Sequence, residues 1–581
     1  MAKKMSSNKL HLAHKLYSAM LSLLFHPHRS STTTTRPTTT TPPPPPPPSS
    51  PPPVVHHCAV PPPSLLTSTR DHQQTTTTLV VDVDSTLLLR SSSGDAAVNL
   101  FPYFMLVALE AGGFLRGMVL LLLYPFIRLM THTAAVRAMS AVAFIGLRSG
   151  ARFRAGRAVL PKWLMEDVAA EAFDAVRTAA AGGRRVVCIT AMPRVMVESF
   201  VREYLLGMEE DVVVVAPEMK VVWGFYTGIM EDEGRDDQHE KVVMATERED
   251  KEKPAAVVGF AGSSEFLKHP LARRCKEIFM VSSDEKLQWR PLSRDKYPKP
   301  IIFHDGRLAF LPTATNTAAM FTWLPFGIFL GAARLAVALT VPYKYSTPIL
   351  AATGMSWRLK NNHRPPLSAG GRGQLFVCNH RTLIDPVYVS VALDRQVRAV
   401  SYSLSRLSEL ISPIGRTVRL TRDRDGDGAK MATLLDAGNL VVVCPEGTTC
   451  REPYLLRFSP LFAELSDDVV PVAIAVETSM FYATTAGGFK CFDPLYYMVN
   501  PRMCYTVQFL DKVDTSPVRT RVVPSTDMAN LVQRKMGEAL GYGCTMLTRK
   551  DKYLMLAGND GVVRTTGDDK STAVGGIGKN K

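Results

Sequence analysis

The first 70 residues hold no acidic side chain, and the 581-residue chain has only nine cysteines, none of them in a Cys-x-x-Cys pair. Seven basic residues (Lys3, Lys4, Lys9, Lys15, Arg29, Arg36 and Arg70) lie in that acid-free stretch, so much of the formal net charge of +15 belongs to a tail. A basic footprint spread across a folded domain, as nucleic-acid binding requires, is therefore not expected. An odd number of unpaired cysteines argues against a disulfide scaffold and a structural zinc site. Cys188 and Cys378 sit in apolar runs, where cysteine acts as a small hydrophobe, and the chain reads as one facing a reducing compartment. Glycine-rich phosphate loops of the P-loop or dinucleotide kind are missing too.

Long apolar runs free of charge are also scarce. Phe101–Met130 is very apolar, but Arg116 and Arg128 bound its core, which is short of the roughly 20 residues a crossing needs. It reads as a hairpin or interfacial pair with Ala138–Leu147. Ala318–Tyr343 is long enough to span but carries Arg334, so a monotopic or re-entrant placement and a buried helix pair compete with a span.

What is present begins with a low-complexity extension over 1–74, in which Thr33–Thr41 and Pro42–Pro53 cannot bury a core. Leu10–Phe25 reads as a short basic amphipathic helix, compatible with an organelle transit peptide or with a merely disordered extension. Apolar strand-like runs then alternate with helical stretches, the pattern of an α/β protein with parallel sheets. We expect one α/β domain over 75–300 with an apolar helical insertion at 101–147. An apolar connector over 301–344, a second α/β domain over 345–563 and a flexible tail over 564–581 complete the chain.

The chemistry concentrates in the second domain. Gln374–Tyr388 takes a buried strand to Cys378, with His380 just past its end and Asp385 at the start of a helix. A carboxylate there can hold the imidazole Nδ1–H and leave Nε2 as a general base. A capping histidine beside an acidic helix start is the bland alternative. No serine or cysteine nucleophile is evident, which fits direct attack by a substrate hydroxyl. Arg416, Arg419, Arg422 and Arg424 follow on a strand-like segment suited to a phosphate. Leu440–Arg451 then delivers Glu446, Gly447 and Arg451 to the edge of a sheet, and Val469–Ile474 is an apolar strand containing Pro471.

Asn-His-Arg-Thr-Leu-Ile-Asp, the arginine segment, Pro-Glu-Gly-Thr-Thr-Cys-Arg-Glu-Pro and Val-Pro-Val-Ala-Ile, in that order, resemble the four blocks of the PlsC-like glycerolipid acyltransferases. The wording resembles most closely the land-plant glycerol-3-phosphate acyltransferases, from about Leu79 to Val563, and within them a branch tied to pollen development. The resemblance implies a general base at His380 oriented by Asp385, with glycerol phosphate bound at Arg422 and the same pocket lined by Glu446 and Gly447. Arg451 would be a further phosphate ligand, and Pro471 would lie on the acyl-CoA side. It implies transfer from acyl-CoA to glycerol 3-phosphate without metal or cofactor, at a membrane and for glycerolipid or extracellular polyester synthesis. The endoplasmic reticulum is the expected site, with the mitochondrion as alternative. The same blocks suit lysophosphatidate as acceptor.

Asp82-Val-Asp84-Ser-Thr86 after an apolar strand resembles the opening of the haloacid-dehalogenase-like phosphatases, with Thr190 matching their second block and Lys241 a possible third. Ser263 stands where those enzymes carry a metal-binding aspartate, and Glu265 is its only nearby substitute. A degenerate phosphatase domain is therefore expected, a working phosphatase being the rival. Asp423–Gly428 has the opening of a calcium-binding loop, but its twelfth position is Leu434, and it reads as a polar turn.

Overall fold

The computed structural model describes residues 53–57, 78–92, 96–150, 154–207, 212–231, 257–366, 371–401, 417–421, 423–487 and 492–557. Two sheets organise them. The first has the order β1(Val54–His56), β8(Glu277–Met280), β7(Val257–Ala261), β2(Thr78–Asp82), β3(Arg185–Ile189), β4(Val212–Val215), and every pairing in it is parallel. Runs such as Val212–Val215 are apolar throughout because a parallel sheet is covered on both faces. Between β4 and β7 an antiparallel hairpin, β5(Met219–Val222) and β6(Phe225–Met230), turns at Trp223 and Gly224, both at positive φ. Val54–His56 is a correction to the boundary at residue 74: its β-branched pair registers on Glu277 and Ile278, and His56 stacks on Phe279 at 5.0 Å.

The apolar insertion also departs from expectation. It forms three helices, α1(Ala96–Gly112), α2(Phe114–Ile127) and α3(His132–Phe144). α1 is no interfacial element: Tyr103 to Leu109 are buried in the core that covers the first sheet. Of the three, α2 is the one that turns large apolar side chains outward, among them Leu115, Leu122 and Phe126.

A 27-residue helix, α4(Ala314–Thr340), and a shorter one, α5(Tyr343–Ala352), lead into the second half. Among the described residues α4 is the one helix long and apolar enough to cross a membrane, judged by length and composition. One face of it is occupied: Gly327 and Gly331 lie against Val499, where a Cβ would crowd Val499 and Trp323. The second sheet runs β12(Val418–Arg419), β11(Arg398–Ser401), β13(Val441–Val443), β10(Leu375–Cys378), β15(Asp468–Thr478), β16(Met503–Phe509), β9(Met355–Leu359), with only β15 and β16 antiparallel along that path. A two-residue strand, β14(Tyr454–Leu455), lies outside it. Helix α6(Asp385–Leu393) follows β10, and α7(Arg424–Asp436) precedes β13. The sheet order puts β10 between β13 and β15, so the first and third blocks lie at the ends of neighbouring strands and the fourth lies within β15 beside them.

Candidate active site

β10 ends at Cys378, and the next residue clamps the strand end to β15. The buried Asn379 amide donates to the Ile474 carbonyl at 2.9 Å and accepts from the Ile474 N–H at 2.8 Å. His380 follows in a fixed position. Its N–H donates to Glu446 Oε1 at 2.8 Å, its carbonyl accepts from the Cys450 N–H at 2.9 Å, and Nδ1 lies 3.0 Å from Asp385 Oδ2. Asp385 opens α6 fully buried, and its carboxylate also accepts from the Arg381 N–H at 2.6 Å and from the Thr382 N–H and hydroxyl. The His–Asp spacing thus makes a loop whose backbone folds round the carboxylate before the helix starts. Burial opposes the imidazolium, but Cys444 and Asp385 beside it outweigh burial and hold the His380 pKa well above the ordinary value.

Glu446 does not point outward. Its second oxygen accepts from the Leu456 N–H at 2.9 Å, so the buried carboxyl ties the first block to the stretch after the third. Burial pushes its pKa up to about 7. Gly447 has a φ of +64°, which the tight turn after Glu446 requires. Arg451 has its guanidinium on the Gly306 and Thr484 carbonyls and over the Tyr482 ring. Pro471 is buried within β15, in register with Val377. Arg422 lies outside the described residues, as does Arg416. Its neighbours are placed: the Thr421 N–H donates to Asp427 at 2.7 Å, and Asp423 caps α7. The calcium-loop-like stretch is therefore a helix N-cap and first turn, not a free turn, because its acids serve backbone N–H groups.

Three features escaped the sequence reading. Arg381 is buried, with its guanidinium on the Cys450, Arg451 and Glu452 carbonyls, so it holds the third block against the first. Lys552, from the last described helix, donates to Thr449. Cys444, the residue after β13, has Sγ 3.3 Å from Cys378 Sγ. A small cleft of about 30 Å³ beside the site is lined by Arg381, Thr382, Arg451, Val476, Tyr482 and Met503, among others.

In the first half, Asp84 accepts from the Thr190 hydroxyl at 2.5 Å and the Ala191 N–H at 2.6 Å, so β2 and β3 bring the first two phosphatase-like blocks together. Asp82 accepts from the Ser85 N–H and hydroxyl. Burial pushes Asp84 up to about 7. Lys241 lies outside the described residues. Lys286, 201 residues downstream of Ser85, bonds the Ser85 carbonyl and faces Asp82 and Asp84. Ser263 caps the turn that follows it, and the exposed Glu265 pairs with Lys268 at 2.7 Å. With those two turned to other work, the donors left at Asp82 and Asp84 do not fit a magnesium ion, and among the described residues no cluster of three or more His, Cys, Asp or Glu could hold a metal.

Residues 78–281 match the family described as "Glycerol-3-phosphate acyltransferase RAM2-like, HAD-like domain", and residues 358–475 match the family "Acyltransferase". The chain is 48% identical over 483 residues to "Probable glycerol-3-phosphate acyltransferase 3" of Arabidopsis thaliana, covering 82% of this chain and 89% of that one. It is 41% identical over 490 residues to "Glycerol-3-phosphate acyltransferase RAM2" of Petunia hybrida, covering 83% and 98% respectively. Among solved structures, PlsC from Thermotoga maritima, a 1-acyl-sn-glycerophosphate acyltransferase, aligns with 39% of this chain and 97% of its own, at 14% identity and a TM-score of 0.24. With both halves matched in order and most of each plant relative covered, the chain belongs to the plant glycerol-3-phosphate acyltransferase family.

Proposed function

We propose that the chain transfers an acyl group from acyl-CoA to a hydroxyl of glycerol 3-phosphate, giving lysophosphatidate and free CoA. The observation that carries the reading is the His380–Asp385 pair, with Nδ1 held at 3.0 Å and the strand end beneath it locked by Asn379 and Glu446. Asp385 fixes the tautomer, so Nε2 takes the proton of the acceptor hydroxyl as its oxygen attacks the thioester carbonyl. The C–S bond then breaks, and the imidazolium returns the proton to the CoA thiolate. No covalent enzyme intermediate is formed. Arg422 binds the acceptor phosphate, Glu446 and Gly447 shape the turn beside it, and Pro471 sets the strand on the acyl side. Arg451, whose guanidinium is already on two carbonyls, acts by fixing this loop. The Asp82/Asp84 centre is silent, so lysophosphatidate leaves with its phosphate. The enzyme works on the endoplasmic reticulum membrane, supplying glycerolipid or extracellular polyester synthesis.

The test is a membrane-fraction assay with labelled glycerol 3-phosphate and a panel of acyl-CoAs, comparing wild type with His380→Ala and resolving the products. The expected outcome is labelled lysophosphatidate that falls by about 10²–10⁴-fold in the variant. Monoacylglycerol in its place would mean a working phosphatase. Activity only with added lysophosphatidate would move the acceptor.

A further inference from the structure

Beside the general base lies a pair of thiols that the acyl transfer does not use. β10 and β13 are parallel neighbours with Val377 opposite Val443, so the same register, carried one residue on, sets Cys378 opposite Cys444. Neighbouring strands lie about 4.8 Å apart, within the Cα separations of about 4.4–6.8 Å that disulfides span. The sulfurs are 3.3 Å apart as free thiols. Cys378 is buried, whereas Cys444 is partly exposed and lies beside the His380 side chain. Both strand ends belong to the site: Cys378 is two residues before His380, and Cys444 is two before Glu446, which holds the His380 N–H.

We propose that Cys378 and Cys444 form a redox modification site, oxidised reversibly by peroxide to a disulfide that disables His380. Cys444 sulfur attacks one oxygen of hydrogen peroxide and the O–O bond breaks, the thiol proton going to the departing oxygen, which leaves a sulfenic acid and one water. Cys378 sulfur then attacks Cys444 sulfur, the S–O bond breaks, and the second oxygen leaves as water with the Cys378 proton. Two thiols are thus oxidised by two electrons and one peroxide is reduced to two waters. In a reducing compartment the pair stays as two thiols, and an oxidant pulse converts it. Cross-linking moves Cys444 sulfur off the imidazole and draws together the two turns that position His380. The loss of activity rests on His380 being the general base; the disulfide itself does not.

The experiment uses full-length protein in membranes, in a Cys544→Ser background that removes the exposed described cysteine. Samples are treated with hydrogen peroxide, alkylated and digested. The expected result is a Cys378–Cys444 peptide pair about 2 Da lighter than its two thiols, with acyltransferase activity lost and then restored by dithiothreitol. Cys378→Ala, measured against its own reduced activity, should lose the dithiothreitol-reversible part. Absence of the cross-linked peptide pair at peroxide doses that inactivate the enzyme would overturn the proposal. A glutathione adduct in its place, or a Cys378→Ala response equal to wild type, would overturn it as well. A cross-link that forms without changing activity would leave the disulfide standing and count against His380 as the base.

Discussion

At the scale of single residues, the centre is a local invention. His380 and Asp385 are five positions apart, and everything that orients the carboxylate comes from the loop between them and from Arg381 and Thr382. Such a constellation is legible in a sequence because spacing alone sets the geometry. Lys286 at the Asp82/Asp84 centre and Arg381 on the third block were not legible, since their partners arrive from up to about 200 residues away. Arg451 is the converse case: an arginine in the right block reads as a phosphate ligand from sequence, and its carbonyl partners emerge only in the fold. The raised His380 pKa gives a pH dependence with a definite sign. A general base works deprotonated, so activity should rise with pH through a limb above the ordinary imidazole range. Asp385→Asn removes a carboxylate that raises this pKa, so the limb should move to lower pH while the plateau falls about 10²–10⁴-fold. Rate profiles of both enzymes check this. A limb that stays put would show that another group governs it.

At the scale of elements, the alternation of strands and helices was readable, but the fate of apolar helices was not. α1 and α2 are both apolar, yet one fills the core and the other turns a greasy face outward, a choice made by neighbours. Arg334 illustrates the point on α4. In sequence it counts against a membrane span. In the fold it is fully buried, donating to the Met498 and Asn500 carbonyls at 2.6 and 2.7 Å and to the Thr353 hydroxyl at 3.1 Å. Those carbonyls terminate α8(Asp493–Val499), so the arginine caps one helix while docking another against it. Arg334→Leu keeps the apolar stem but leaves the carbonyls without a donor, which should cost about 1–3 kcal/mol. Thermal unfolding of the detergent-solubilised protein should show the loss, and Arg334→Lys should recover part of it. An unchanged midpoint would mean that water reaches those carbonyls and that the remaining contacts of α4, among them Gly327, Gly331 and Trp323 on Val499, suffice to hold it.

At the scale of the whole molecule, the HAD-like domain reaches the acyltransferase centre through a buried ionic seam. Glu452, the last acid of the third block, lies against Lys162 at 3.0 Å, Arg294 at 2.8 Å and His304 Nδ1 at 2.9 Å, all from the first 304 residues. Its own carbonyl receives Arg381, the neighbour of His380. The first core likewise takes in Met480, Phe481 and Val499 from the second half. Motif reading divides the chain at about residue 300 and misses this, because ion pairs between distant segments leave no periodicity. Burial opposes the Glu452 charge, but His304, Lys162 and Arg294 overcome it and hold its pKa well below the ordinary range. A carboxyl depressed on folding contributes stability above its unfolded pKa and loses it as pH falls through the lower, folded value. Glu452→Gln leaves Lys162 buried without its anion, which should cost about 3–5 kcal/mol and flatten the acid side of the stability profile. The expected signature is coupled: unfolding at lower temperature and a fall in kcat without loss of the His380–Asp385 pair, since the loop carrying His380 loses its anchor. If the variant melts earlier but keeps full kcat, the first domain stabilises the chain without positioning the base.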